Sequence, residues 1–423
     1  MLQLLISGIL GNFLEVYDLC LYGYFIAIIG AQFFPPLAHL SAITYGYAIF
    51  CIGYLSRPLG AIMIGWIGDQ YGRKQALSLS ILLISFSTAA IGLLPSYNSI
   101  GLWAPFLLLL LRLLQGISMG GEYTGSIVYF LESTSQNKRG YLVSLAIAAS
   151  DFGMLIAAFT SLILSHLTSN SMISHQGWRL AFLIALLGGF VGWFVRRKLP
   201  ESILFQQAIT TPLSPFKQLK KQKKSLFMII LLAWPGVVTT YLLYVYSPTL
   251  FSTQLHWSMT KSLSMVSLSL LEVVVLIPLA GLLCDRLGRK PLLLYGTLGL
   301  GLLLPNYFYC LGQSKADMVI FLQQLLTLPS ALYFTGATTL IAELLPVRIR
   351  FLGTAFAYNL SCSIFGGTAP LLTSWLLIKF HTPLLLSLYP LSCIFVLLFF
   401  YSWIPETRPT DWSISPSPLA SEI

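Results

Sequence analysis

Two stretches, Leu226–Leu250 and Leu384–Ile404, run for more than 20 residues without a charged side chain. At a rise of about 1.5 Å per residue, a helix of either length crosses the roughly 30 Å of hydrocarbon in a bilayer. Ten further runs are predominantly apolar, several with a charge at depth, giving approximate spans at 4–31, 42–66, 76–94, 102–130, 141–165, 179–197, 226–250, 262–284, 291–312, 317–342, 351–377 and 383–404. All must be helices, because only a helix or a closed barrel satisfies its own backbone in lipid. Composition excludes the soluble alternative. Of the 423 residues 56% are hydrophobic and 9% charged, whereas a soluble surface needs about a quarter.

The net charge of +10 would suggest nucleic acid in a soluble chain, but its placement argues against that partner. With the amino terminus inside, 18 of the 24 Lys and Arg fall on the inner side and 4 (Arg179, Lys261, Lys315 and Lys379) on the outer. The remaining two, Arg57 and Arg112, lie within spans. This bias predicts that both termini are cytoplasmic. The first run has no basic front and contains Glu15 and Asp18, so it is read as a retained span and not a cleaved signal. The six cysteines fall in or beside apolar runs with no C-x-x-C pair and are read as reduced packing residues.

The chain repeats. Gly65, Asp69, Gly72, Arg73 and Lys74 recur as Gly281, Asp285, Gly288, Arg289 and Lys290, at one shift of 216. Glu132 and Arg139 recur as Glu343 and Arg350, at a shift of 211. The expected organisation is an all-α membrane protein of twelve spans in two pseudo-symmetric halves. Residues 1–198 form the first six-helix half, 199–225 a basic cytoplasmic linker, 226–404 the second half and 405–423 a short cytoplasmic tail. A duplicated bundle of this kind places its shared site at midplane, between the halves.

The doubled G-D-x-x-G-R-K loop resembles that of the major facilitator superfamily. More narrowly, the chain resembles the metabolite:proton symporters, and among them the bacterial proline/glycine-betaine transporters. The resemblance rests on Gly11-Asn12 with Glu15, Tyr17 and Asp18, on Arg57-Pro58-Leu59-Gly60, and on Gln115-Gly116 through Gly125, including Tyr123. Asp151-Phe152-Gly153, Tyr241 through Tyr246, and Pro405-Glu406-Thr407 extend it toward the carboxyl end. It implies the major facilitator fold, secondary active transport by alternating access, the proton as coupling ion with no other cofactor, a bacterial inner-membrane location and function as a monomer. The tail after Trp403 lacks heptads, so a coiled-coil osmosensor is not implied. Glu272 departs from the family pattern, which has a small or apolar residue there.

A charge at bilayer centre costs on the order of 3 kcal/mol even on mild scales. Seven charged residues at depth therefore stand out: Glu15, Asp18, Arg57, Arg112, Glu122, Asp151 and Glu272. Glu15 and Asp18 are three apart, on one helix face. Adjacent carboxylates in low dielectric do not both ionise cheaply, which makes them proton-carrier candidates. The bland reading locks Asp18 to Arg57 or Arg112. Arg112-x-x-Gln115-Gly116 resembles the superfamily's proton-coupling motif, and Glu122 lies ten residues on, ~15 Å along the axis, too far for one ion pair. Proton coupling is assigned to Glu15, Asp18, Arg112 and Glu122. Substrate binding is assigned to Arg57, Tyr123, Asp151, Tyr241, Tyr244 and Glu272. Arg57 equally suits snorkelling. Tyr241 and Tyr244 suit a quaternary ammonium or an interfacial belt, and Tyr246 is read as belt.

Asp69, Gly72, Arg73, Asp285, Gly288 and Arg289 are read as gating parts. Asp69 is expected at the start of span eleven near Phe351, and Asp285 at the start of span five near Tyr141. Asp151 and Glu272 come out at matching depths, and their approach across the seam is weighed against separate polar partners. The expected solute is a small zwitterion imported with protons, because acids predominate at midplane. The alternatives are a carboxylate such as citrate or a keto acid, a metal chelate or siderophore and, more distantly, a sensor. No nucleotide-binding loop, nucleophile–base spacing or metal-ligand cluster points to ATP use or to an enzyme.

Overall fold

The computed structural model describes residues 2–35, 39–132, 138–167, 177–197 and 215–408. Every regular element among them is helical. Ten helical stretches are long and apolar enough to cross a membrane. They run Ile43–Gly68, Arg73–Leu93, Trp103–Glu132, Arg139–Leu164, Trp178–Arg197, Lys223–Val245, Met259–Leu287, Arg289–Gly312, Ala316–Glu343 and Ile349–Phe380. They are the second to eleventh spans. The first is a bent pair, Ile9–Tyr24 and Ile26–Phe33, and the twelfth a shorter apolar helix within Pro383–Phe399. Most of the polar segment after the sixth span lies outside the described residues.

Exposed Leu, Phe and Trp side chains dress the outside of the bundle, among them Leu187, Phe190, Leu302, Phe395 and Phe399. In water such a surface would be unstable; in lipid it is the solvated one. The fifth span lies along the eighth, and the second along the eleventh. These are the largest contacts between the first six spans and the last six, so they define the seam. Small residues make the closest approaches within the first six. A Cβ on Gly60, Gly116 or Gly120 would overlap backbone of the neighbouring second or fourth span, the close packing that membrane helices use in place of a hydrophobic drive.

Two regions depart from straight helices. The apolar run predicts one helix over 4–31, whereas the first span bends by 66° at Phe25. The seventh and eleventh spans each contain a π-turn, Tyr241–Val245 and Cys362–Gly366. The two π-turns meet: a Cβ on Gly366 would fall 2.6 Å from the Tyr241 ring. Such turns insert one residue into the hydrogen-bond ladder and are frequent at functional sites.

Candidate functional site at the seam

Glu15 lies midway along the first span and is 2% exposed. Its Oε1 is 3.1 Å from Arg57 Nη2, and its Oε2 is buried without a partner. Arg57 opens the helix Arg57–Gln70, with Pro58 in its first turn. There the missing proline donor is harmless. Arg57 Nε donates to Asn359 Oδ1 at 2.8 Å, and Asn359 Nδ2 donates to the Gly120 carbonyl at 2.6 Å. The guanidinium also sits 4.9 Å above the Tyr54 ring, and the Tyr54 hydroxyl is bonded to that of Tyr241. One polar chain thus joins the first, second, fourth, seventh and eleventh spans across the seam.

Asp18 is partnered separately. Gln115 Nε2 donates to both of its carboxyl oxygens, at 2.9 and 2.8 Å, and Arg112 Nη1 donates to Gln115 Oε1 at 2.7 Å. Arg112 lies 3.5 Å over the Tyr22 ring, and its Nε and Nη2 are buried without hydrogen bonds. Asp18 is therefore locked to neither arginine directly; Gln115 stands between it and Arg112. The two acids of one helix face serve two different networks.

Glu122 belongs to neither network. It forms a buried ion pair with Arg196, accepts from Ser80 Oγ at 2.5 Å, and Arg196 also donates to the Leu77 carbonyl. A Cβ on Gly11 would overlap both Glu122 Oε1 and Arg196 Nη2. This explains the glycine of Gly11-Asn12 and locates Glu122 in a lock among the first, third, fourth and sixth spans.

Asp151, on the fifth span, is buried and makes no hydrogen bond or ion pair among the described residues. Tyr123 and Tyr244 lie within its electrostatic reach, and Tyr123 stacks on Tyr358 at 5.1 Å. Tyr241 and Tyr244 do not act together as residues three apart on an α-helix would. The π-turn closes with Tyr246 N–H donating to the Tyr241 carbonyl at 2.8 Å, which rotates the two apart. Tyr241 faces Tyr54, while the Tyr244 hydroxyl is buried without a hydrogen bond. Tyr246 is no interfacial belt residue: it is 1% exposed and packs on Tyr47 at 5.3 Å.

Glu272 is half-buried beside the exposed Leu268, Leu271 and Val275, and accepts from Thr327 Oγ1 at 3.1 Å. It and Asp151 do not bond to each other. The separate-partner reading describes Glu272, and its place is the outer wall between the eighth and tenth spans.

The end carrying the G-D-x-x-G-R-K loops is shut. Gly140 N and Tyr141 N donate to Asp285 Oδ1 and Oδ2, at 2.8 and 2.9 Å. Arg289 pairs with Glu343 at 3.1 Å. The repeated acids and arginines cross over: Arg139 meets Glu343 at 3.8 Å, and Arg350 meets Glu132 at 3.9 Å. Glu406 accepts from Arg289 N and Lys290 N, at 3.0 and 2.9 Å. Gly72 and Gly288 have φ of 113° and 106°, where a Cβ is strained. Arg73 donates to the Gly68 carbonyl at 2.8 Å and lies 4.9 Å over the Phe351 ring. The Asp69 side chain lies outside the described residues.

The opposite end is shut as well, by hydrogen bonds from the second span to the short helix after the seventh and to the eleventh: Tyr47 to Thr249 at 3.2 Å and Thr44 to Ser374 at 3.4 Å. Beyond them a recess of about 320 Å³ is lined by Tyr246, Thr249, Ser374 and His381 among others. Sequence reasoning missed Asn359, Tyr54 and Arg196. Arg196 reads in the sequence only as one of the inner-side basic residues, although an intramembrane Glu122 demands a cation from some neighbouring span.

A family model described as Sugar (and other) transporter matches residues 4–211, and one for the Major Facilitator Superfamily matches residues 241–422. The proline/betaine transporter of Escherichia coli (strain K12) is 34% identical over 382 residues, 87% of this chain and 76% of that protein. The proline/betaine transporter of Salmonella typhimurium is 35% identical over 383 residues, with the same coverage of 87% and 76%. In fold, the chain superposes on the proton:xylose symporter XylE bound to 6-bromo-6-deoxy-D-glucose with a TM-score of 0.80, at 19% identity and 96% coverage of both chains. On the inward-open XylE from E. coli the TM-score is 0.72, at 18% identity and 96% and 97% coverage. The chain belongs to the major facilitator superfamily, is a transporter and not an enzyme, and groups with the bacterial proline/betaine transporters.

Proposed function

We propose that this transporter imports a small zwitterion of the proline or glycine-betaine kind together with protons, by alternating access across the bacterial inner membrane. Both termini are cytoplasmic in this reading, which rests on the asymmetry of Lys and Arg. The observation that carries it is the Glu15–Arg57–Asn359 chain across the seam. An arginine held by an acid of one half and an amide of the other is well placed to exchange the acid for a substrate carboxylate. A proton on Glu15 removes the charge that holds Arg57. Arg57 then turns to the solute, so proton and carboxylate bind together. Asp18, with Gln115 and Arg112, supplies a second protonatable site in the first half.

The loops at the basic end act as the gate. The Asp285 carboxylate stabilises the closed end by accepting from the exposed start of the fifth span, a contact worth roughly 0.3–2 kcal/mol. It must break each time that end opens. The names of the relatives support the solute class. Thermal stabilisation of the purified transporter by proline or glycine betaine, with none from citrate or a sugar, is the expected result. Stabilisation by a dicarboxylate alone would contradict it.

A further inference from the structure

We propose that Asp151 is the counter-ion for the cationic end of the substrate. The fifth-span carboxyl, with Tyr123 and Tyr244 beside it, receives a quaternary or secondary ammonium while Arg57 receives the carboxylate. The inference rests on the reading of the solute as a zwitterion and assigns each of its ends a place.

An ionised carboxyl at this depth costs on the order of 3 kcal/mol or more unless paired, and none of the described residues pairs with Asp151. The buried arginines of the first six spans are engaged elsewhere. Arg57 is held by Glu15 and Asn359, Arg112 by Gln115 and the Tyr22 ring, and Arg196 by Glu122. Asp151 keeps an orientation that makes no use of lipid. Its neighbour Phe152 is exposed to the bilayer, while Gly153 packs against the Phe13 backbone so closely that a Cβ would meet the Phe13 carbonyl. These contacts fix the rotation of the span and turn Asp151 inward.

What surrounds it suits a cation. Tyr123 and Tyr244 bring aromatic rings, whose faces attract ammonium groups. The Tyr244 hydroxyl has no hydrogen bond of its own and comes near Asp151 through the π-turn of the seventh span. Tyr123 is within electrostatic reach of both Asp151 and Glu15. The acid that lacks a cation and the acid that holds Arg57 thus both reach one tyrosine, an arrangement matched to a solute with opposite charges at its two ends.

The test compares glycine betaine with 3,3-dimethylbutanoate, which replaces the ammonium nitrogen by carbon and keeps the shape and the carboxylate. Binding to purified wild type, Asp151→Asn and Asp151→Glu is measured by calorimetry. The wild type is expected to prefer betaine by on the order of 10- to 100-fold, the range of a charge-assisted contact. Asp151→Asn is expected to lose that preference by weakening betaine and leaving the isostere nearly unchanged, and Asp151→Glu to restore part of it. Betaine affinity unchanged in Asp151→Asn, with the preference intact, would overturn the assignment while leaving zwitterion transport standing. It would make Asp151 a proton site. Wild type binding the isostere as tightly as betaine would overturn it even if the variants failed to fold. Wild type binding no zwitterion would remove the solute reading itself.

Discussion

Glu15 Oε1 lies 3.1 Å from Arg57 Nη2, while Glu15 Oε2 is buried with no hydrogen-bond partner among the described residues. Half of this carboxyl is committed and half is idle, inside a bundle where a carboxylate ordinarily recruits every donor it can reach. A group in this state is ready to take a proton and to give up its arginine.

Neutralising Glu15 should therefore separate substrate movement from proton movement. Glu15→Gln keeps the side-chain shape and removes the titration. In proteoliposomes this variant should still exchange labelled for unlabelled solute, and accumulation driven by a proton gradient should fall to the equilibrium level. Accumulation at the wild-type level in Glu15→Gln would assign coupling to Asp18 instead.

Asp285 accepts from two backbone N–H groups of the fifth span, and Cys284 beside it is 0% exposed. Asp285→Asn should weaken the closed end by about 1–2 kcal/mol, a factor of roughly 5–30 in the closed-to-open ratio. The rate at which a membrane-impermeant maleimide labels Cys284 should rise by that factor from the basic face, with substrate affinity little altered. Unchanged labelling together with a large loss of affinity would place the loop in the binding site.

Glu122 and Arg196 form one buried pair sealed by Gly11. Removing one partner leaves the other charge uncompensated, typically at a cost of about 3–5 kcal/mol. Glu122→Gln should lower the unfolding temperature sharply, and Gly11→Ala should do so by steric overlap. Normal stability with lost proton coupling in Glu122→Gln would return Glu122 to the transport pathway.

These pairs show where the sequence was legible. Hydrophobic runs are long enough to report spans, and the shift of 216 reports the duplication, because both are properties of the chain itself. The doubled loop also placed Asp285 beside Tyr141, since a carboxylate after one span has few helix starts within reach. Partner choice was harder to read. Glu15 and Asp18 share a helix face, yet one turns to Arg57 and the other to Gln115, because their neighbours are set by how four spans cross. Arg196 reads as one more inner-side charge, and only the packing of the sixth span brings it to Glu122. The bend at Phe25 and the π-turn at Tyr241–Val245 left no mark in composition, since no residue type signals them as proline signals a kink. That turn decides which way Tyr244 faces, so the surroundings of Asp151 emerged only with the structure.

Under the proposed mechanism, solute and proton travel together. The most direct measurement loads proteoliposomes with a pH indicator, adds glycine betaine or proline outside with no initial gradient, and follows the internal pH. Coupled import predicts internal acidification that begins with solute entry, vanishes with an uncoupler and is absent in Glu15→Gln. In the reverse experiment a one-unit inward proton gradient should drive up to about tenfold accumulation for each proton carried. Solute entry at full rate with no change of internal pH, and with accumulation set by sodium alone, would contradict it.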